Sequence, residues 1–220
     1  RTVYAKVAKG FKSGAFNHAA TTVSAFQQGF DSETLWSYEL GLKSRWLDQR
    51  LQVNAAAFYS DYDDIQVSNF LPDPNAGAVS IVDNAGKARI SGLELELSAL
   101  LTENLELTVN YGYLDGEYTE YTVFDAAQGV NVDVKDDRVI PFLTEHSSSV
   151  ALDYNRPIGS IGTLGMRLAW SYIDDQPVYP DNFESTFIEA YDMFSARVAL
   201  SDIPAGDQGR VSIALWAKNL

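Results

Sequence analysis

The chain has few residues of the types that carry out catalysis. It contains two histidines, His18 and His146, and no cysteine, which removes thiolate metal sites and cysteine nucleophiles. His146 is followed by Ser147, Ser148 and Ser149, so a hydroxyl nucleophile beside a base is one chemistry to consider. On a β-strand, however, adjacent side chains point to opposite faces, and His146 would not meet the serine that follows it.

Metal and nucleotide sites also lack their usual patterns. Two runs of aspartate could attract calcium, but neither has the Asp-x-Asp-x-Asp-Gly order of an EF-hand: Asp61, Asp63 and Asp64, and Asp133, Asp136 and Asp137. No pair of histidines has zinc-ligand spacing, and no glycine-rich loop has the spacing that cradles phosphate. The sequence therefore predicts no metal site, no cofactor and no enzymatic reaction.

Charge and hydropathy exclude two further classes. Thirty acidic residues against sixteen basic ones give a formal net charge of -14, which repels phosphates and argues against a nucleic acid partner. No stretch approaches the roughly 18 to 20 apolar residues of a membrane helix. A membrane β-barrel remains possible, because its strands alternate between apolar and polar residues.

The elements that would position any site are β-strands, because apolar and polar residues alternate along the whole chain. In residues 105–113, for example, every second residue is apolar or aromatic. The alternation predicts an all-β, antiparallel meander of about nine strands, near residues 2–9, 35–46, 50–68, 79–101, 105–119, 146–155, 163–174, 187–200 and 209–218. Several exceed the usual strand and approach the roughly 9 to 11 residues that a tilted strand needs to cross a bilayer.

The predicted connections alternate between long and short, as they do in outer-membrane barrels. The long ones are residues 10–34, 69–78, 120–145 and 175–186, and the short ones are 47–49, 102–104, 156–162 and 201–208. We therefore expect residues 1–220 to be part of a transmembrane β-barrel domain whose first strand rises toward the cell exterior. Leu220 would lie near the top of another rising strand, with a final descending strand missing.

The two faces of these strands differ in chemistry. Trp36 and Trp46 lie at opposite ends of the second strand on its apolar face, as aromatic residues at two membrane interfaces would. The polar face would line the lumen with Glu39, Lys43, Arg45, Glu94, Glu96, Arg167 and Arg197. Aromatic residues in the outer loops are candidate ligand contacts, because exposed rings can stack on a flat chelate: Phe70, Tyr121, Phe124, Tyr179 and Phe183. A soluble β-sheet protein with ligand-binding or ester-hydrolase activity remains the alternative, since a soluble sheet can also have one apolar and one polar face.

Several segments resemble one family in the same order along the chain. Residues 4–17 (YAKVAKGFKSGAFN) are similar to the strand and loop that open many TonB-dependent receptor barrels, although Ala15 replaces a frequent second glycine. The other similar segments are 39–44 (ELGLKS), 54–59 (NAAAFY), 62–67 (YDDIQV), 84–96 (NAGKARISGLELE) and 216–220 (WAKNL).

This resemblance implies the C-terminal part of a 22-stranded barrel in the outer membrane of a Gram-negative bacterium. The full-length protein would import scarce ligands such as ferric siderophores, with energy relayed by TonB. Its partners would be outer-membrane lipid, an N-terminal plug domain, TonB and a siderophore-like ligand. We find no plug domain and no TonB-contacting segment in these 220 residues. The isolated fragment would expose two sheet edges and could self-associate through them.

Overall fold

The computed structural model describes residues 1–18, 20, 23–73, 77–84, 86–125, 130–206 and 208–220. Side chains at 24, 25, 28, 68–73, 77–80, 124, 125 and 131 lie outside this description. The strands are β1 (Thr2–Lys12), β2 (Glu33–Trp46), β3 (Leu51–Asp63), β4 (Gln66–Asp73), β5 (Gly77–Asn84), β6 (Gly86–Thr102), β7 (Leu105–Asp125), β8 (Val130–Asp133), β9 (His146–Ile158), β10 (Gly162–Ile173), β11 (Gln176–Pro177), β12 (Phe187–Ile188), β13 (Tyr191–Ala205) and β14 (Gly209–Lys218). Helix α1 (Val23–Gln28) and two single 3-10 turns (Lys135–Asp137 and Glu184–Thr186) lie in the connections.

One antiparallel sheet contains most of these strands. Within the described ranges, nine of them follow the order β1-β2-β3-β6-β7-β9-β10-β13-β14, and β8 pairs with the outer part of β7. We call these nine the wall strands. They contain from 10 residues in β14 to 21 in β7, so each is long enough to cross a bilayer when tilted. The predicted all-β antiparallel meander is confirmed.

Two predicted strands are interrupted at the same height in the sheet. The predicted strand 50–68 is divided into β3 and β4, and the predicted strand 79–101 is divided into β5 and β6. β4 and β5 pair with each other as a separate hairpin. Asp64 has a φ of 56°, and Gly86 has a φ of 125°. These left-handed conformations break the extended backbone at the point where the hairpin leaves the wall.

The connections alternate in length as predicted. Tight turns join β2–β3, β6–β7 and β9–β10 at one end of the sheet, and a short connection separates β13 from β14 at the same end. The last of these was predicted to be longer, but β13 continues to Ala205 after a register shift between Leu200 and Ile203. The long connections, with α1, the β4–β5 hairpin, β8 and β11–β12, lie at the opposite end, which we call the outer end.

The wall is one sheet thick, so its central residues have no second layer to bury them. The apolar side chains Leu40, Leu93 and Leu168 are all more than half exposed. The hydrophobic cluster lies instead at the outer end, where Val67, Ala88, Tyr118 and Tyr121 are buried. Helix α1 has six residues, and within the described ranges no helix reaches the length and apolarity needed to cross a membrane.

Candidate functional site

The apolar face carries aromatic rings near both ends of the wall. At the tight-turn end, the guanidinium of Arg1 stacks on Trp46, 3.2 Å from the ring centroid. Near the outer end, the ammonium of Lys9 lies 5.2 Å from the centroid of Trp36. Cations placed over aromatic rings in this way suit a membrane interface, where one part of the pair is apolar and the other is wet.

Other aromatic residues at the outer end of this face donate hydrogen bonds to aspartates. The hydroxyl of Tyr172 donates to Oδ1 of Asp174 at 2.9 Å, and Nε1 of Trp170 donates to Oδ1 of Asp192 at 2.7 Å. The hydrogen bond from Tyr172 lowers the pKa of the Asp174 carboxyl, which lies beyond the end of β10. The polar groups of both rings thus have hydrogen-bond partners near the outer end of β10.

The opposite face carries all seven residues that were predicted to line the lumen. The strand register places Lys43 opposite Asn54, and Asn54 opposite Glu96. It also places Glu94 opposite Gly112. The same register places the remaining four on this face: Glu39, Arg45, Arg167 and Arg197. We call it the polar face.

Two ion pairs on the polar face join neighbouring strands. Glu39 accepts a hydrogen bond of 2.6 Å from the Tyr4 hydroxyl and forms an ion pair of 3.4 Å with Lys6. Arg167 forms an ion pair of 2.7 Å with Asp153. Each pair joins neighbouring strands, so these contacts help to hold the register of the wall.

The outer part of β7 turns two tyrosines toward the same side. Tyr118 is opposite Ala88, whereas Glu120 is opposite Lys87, so Thr119 is an extra residue in a β-bulge. The bulge brings Tyr118 and Tyr121 onto one face, although they are three residues apart. Their rings meet edge to face with centroids 4.8 Å apart.

A cleft of about 670 Å³ opens beside this tyrosine pair. Its size lies within the range of roughly 300 to 1,000 Å³ that is usual for small-molecule sites. The outer ends of several strands and two outer connections supply its lining: Lys12, Glu33, Ile65, Gln66, Val67, Tyr118, Ile140, Pro141, Phe142, Val178, Tyr179 and Pro180. Most of the lining is apolar, and Lys12, Glu33 and Gln66 provide polar groups at one side.

The five predicted ligand contacts have different positions relative to this cleft. Tyr179 lines it. Tyr121 was expected to be exposed, but it is 1% exposed and packs in the adjacent cluster. Phe183 is 65% exposed and is not part of the lining. Phe70 and Phe124 lie in β4 and β7, and their side chains are outside the described residues. Ligand contact by any of the five stays a prediction.

Sequence reasoning missed Phe142, which lines the cleft and is 64% exposed. Its backbone has a φ of 59°, and its amide donates to the carbonyl of Pro177 at 2.7 Å. The flanking sequence Ile140-Pro141-Phe142-Leu143 shows no alternation that would have indicated a turned-out ring. An apolar run containing proline inside a long connection was the available signal.

His146, which was considered for catalysis, and two of the aspartates considered for calcium binding have structural partners. Nδ1 of His146 lies 2.9 Å from the hydroxyl of Tyr111, and its ring centroid is 5.2 Å from that of Tyr113. Asp61 forms an ion pair with Arg89, and Asp63 forms one with Lys87. These contacts belong to the outer end of the apolar face.

Comparisons with known proteins agree with this architecture. The model of the family "TonB dependent receptor-like, beta-barrel" matches residues 1–220. The chain is 31% identical over 99 residues to the probable TonB-dependent siderophore receptor PiuA of Acinetobacter baumannii. The aligned region covers 45% of this chain and 12% of PiuA. It is 34% identical over 119 residues to the metal-pseudopaline receptor CntO of Pseudomonas aeruginosa, and this aligned region covers 54% of this chain and 15% of CntO. The chain thus spans a small part of the length of these relatives.

A solved structure shows the same fold. The ferric preacinetobactin receptor BauA of Acinetobacter baumannii superposes with a TM-score of 0.69 at 18% identity, over 99% of this chain and 29% of BauA. The family match over the whole chain, together with the long antiparallel wall strands, settles the assignment. The chain belongs to the TonB-dependent receptor-like β-barrel family.

Proposed function

We propose that the full-length protein is a receptor in the outer membrane of a Gram-negative bacterium that binds a ferric siderophore and imports it with energy from TonB. The chain contributes nine wall strands and the outer segments that carry the cleft. Binding and import require no covalent step by the protein, so we propose that it is not an enzyme.

The observation that carries the proposal is the outer cleft above the wall. It has the volume of a small-molecule site, and exposed rings of Phe142 and Tyr179 stand at its rim. Rings of this kind can stack on the flat parts of a chelate, while Lys12 and Glu33 offer charges of both signs. The names of CntO and BauA refer to metal-pseudopaline and ferric preacinetobactin, and we extend that ligand class to this chain.

The polar face supports a second part of the proposal, namely that an N-terminal plug domain fills the lumen. This face presents acidic residues in its centre, such as Glu94 and Glu96, and basic residues such as Arg197 toward one side. A folded domain in the lumen would meet charged and hydrogen-bonding groups there, and lipid would meet the opposite, apolar face.

Uptake of radioactive iron tests the proposal. The full-length protein would be expressed in a Gram-negative host without siderophore receptors of its own and supplied with labelled ferric preacinetobactin, ferric yersiniabactin, ferrichrome and ferric citrate. We expect accumulation of iron from at least one of them, and no accumulation in the same host without TonB. Iron accumulation that does not depend on TonB would contradict the energy source.

Two variants connect that uptake to the cleft. Phe142→Ala and Tyr179→Ala each remove a ring from the rim, and we expect each to weaken uptake by roughly tenfold, as loss of an aromatic contact does at other binding sites. Ile188→Ala is the matched control, because Ile188 is exposed on the same outer connection as Tyr179 and does not line the cleft. Unchanged uptake by both ring variants would remove the cleft from the proposal.

A further inference from the structure

Two outer segments meet along one side of the cleft. We call residues 134–145 segment A and residues 174–190 segment B. Arg138 of segment A and Asp181 of segment B form an antiparallel β-bridge. The amide of Val139 donates to the carbonyl of Pro180 at 3.0 Å, and the amide of Phe142 donates to that of Pro177 at 2.7 Å. Segment A is therefore connected to segment B by backbone hydrogen bonds.

The side chain of Arg138 adds two contacts to this junction. Its guanidinium forms an ion pair with Asp181 and lies over the ring of Tyr121, 5.6 Å from the centroid. Tyr121 belongs to the buried cluster on the wall. Arg138 thus touches the wall and both segments, and its planar cation suits ring stacking and carboxylate pairing at the same time.

Arg138 also has an incompletely satisfied guanidinium. Its Nε is buried and has no hydrogen-bond partner among the described residues. A buried donor without a partner costs free energy, so the remaining contacts of Arg138 must offset this cost. The contacts that do so are the ion pair with Asp181 and the ring of Tyr121.

The cleft lining depends on both segments. Ile140, Pro141 and Phe142 come from segment A, and Val178, Tyr179 and Pro180 come from segment B. Segment B has little regular structure of its own, with two residues in each of β11 and β12 and one 3-10 turn. Segment B is held beside segment A by the backbone hydrogen bonds of Val139 and Phe142 and by the ion pair of Arg138 with Asp181.

We propose that Arg138 is a positioning residue that joins segments A and B into one continuous wall of the cleft, so that Phe142 and Tyr179 meet a ligand together. The use of this wall for a ligand rests on the proposed function. The joining of the segments does not, and it can be measured without any ligand.

Amide hydrogen exchange of the full-length protein in detergent micelles tests the junction. In Arg138→Ala we expect the amides of Val139 and Phe142, which donate to carbonyls of segment B, to exchange roughly tenfold faster or more, since local opening no longer has to break the ion pair. Asp181→Asn should accelerate the same amides. The double variant should be no faster than the faster single variant, because both changes remove one shared interaction.

Arg138→Lys separates charge pairing from general packing, because it keeps a positive charge on a long side chain but replaces the planar guanidinium with an ammonium group. We expect it to retain most of the protection of Phe142. The matched control is Arg89→Ala, which removes an ion pair with Asp61 at 3.4 Å on the apolar face and should leave both segments unchanged. Amides of β9 and β10 report whether each variant is folded.

Unchanged exchange at Val139 and Phe142, or additive effects of Arg138→Ala and Asp181→Asn, would overturn the proposal. If Arg138→Ala does not fold, Asp181→Asn alone decides, because it removes only one charge and its effect on Phe142 must cross the junction. Either result is independent of iron uptake, so a failure here is distinguishable from a failure of the proposed function.

Discussion

Amide side chains connect the outer segments at three places. Nε2 of Gln66 donates to the carbonyls of Ser13 and Asp31 at 3.1 and 3.0 Å. Asn84 donates to the carbonyl of Asp64 at 2.7 Å. Asn17 is 7% exposed and pairs in both directions with the backbone of Val82. Each side-chain amide takes the place that a neighbouring strand would have as hydrogen-bond partner. The backbone N–H and C=O groups of irregular segments are satisfied in this way.

The substitution Asn17→Ala tests whether the side-chain amide of Asn17 stabilises the outer segment that contains Val82. The change removes the acceptor of the Val82 amide and the donor to the Val82 carbonyl, bonds of 2.7 and 2.8 Å. We expect a loss of about 1–3 kcal/mol of local stability, because two backbone groups lose their partners. Hydrogen exchange at Val82 in the full-length protein measures the effect.

Asn182→Ala is the control for that experiment, because Asn182 is an exposed asparagine of another outer connection. It should leave exchange at Val82 unchanged. Equal exchange rates in Asn17→Ala and the unmodified protein would show that the paired amide does not hold this segment.

At the scale of elements, a glycine occupies one of the two positions at which the β4–β5 hairpin leaves the wall. Gly86 begins β6 with a φ of 125°. A Cβ added there would lie 2.4 Å from the carbonyl oxygen of Glu120 in β7. Only glycine fits this conformation and this close approach without moving the backbone of β7.

Gly86→Ala should therefore displace the outer ends of β6 and β7. We expect destabilisation of about 1–3 kcal/mol, the usual range for a residue forced into such a conformation, with faster proteolysis of the outer segments. Gly10→Ala is the matched control, since a Cβ at Gly10 would meet nothing within 4 Å. Limited proteolysis of the full-length protein in lipid vesicles measures both, and equal cleavage rates would contradict the argument.

Sequence alternation predicted the wall strands and both faces because the period of two is a property of every extended residue. It could not predict the bulge at Thr119, which places Tyr118 and Tyr121 on one side. A regular strand would place these two residues on opposite faces. Phe142 and the junction at Arg138 were missed for a related reason, since irregular segments have no period and contacts between them depend on tertiary structure.

At the scale of the whole molecule, the sheet has one apolar and one polar face along its full width. Within the described residues, β1 and β14 each pair on one side only, so the sheet is open. Both strands expose apolar side chains, including Val7 and Leu215. We therefore expect the isolated chain to self-associate through these edges.

A pair of adjacent substitutions tests which face meets lipid. Val109 lies on the apolar face opposite Leu97 and Val150, and Thr108 lies on the polar face. Val109→Arg should lower the free energy of unfolding in lipid vesicles by about 2–4 kcal/mol, whereas Thr108→Arg should change it little. Urea titration of the full-length protein measures both, and equal losses would contradict the assignment of the faces.

The most direct test of the membrane wall is lipid quenching along β7. The chain contains no cysteine, so single cysteines can be introduced at each position from 106 to 113 in the full-length protein, with any other cysteines replaced, and labelled with a fluorophore. Nitroxides on the lipid chains should quench strongly at 107, 109 and 111 and weakly at 108, 110 and 112, because the register places these two sets on opposite faces. Quenching that is equal at both sets, or absent from both, would contradict the account.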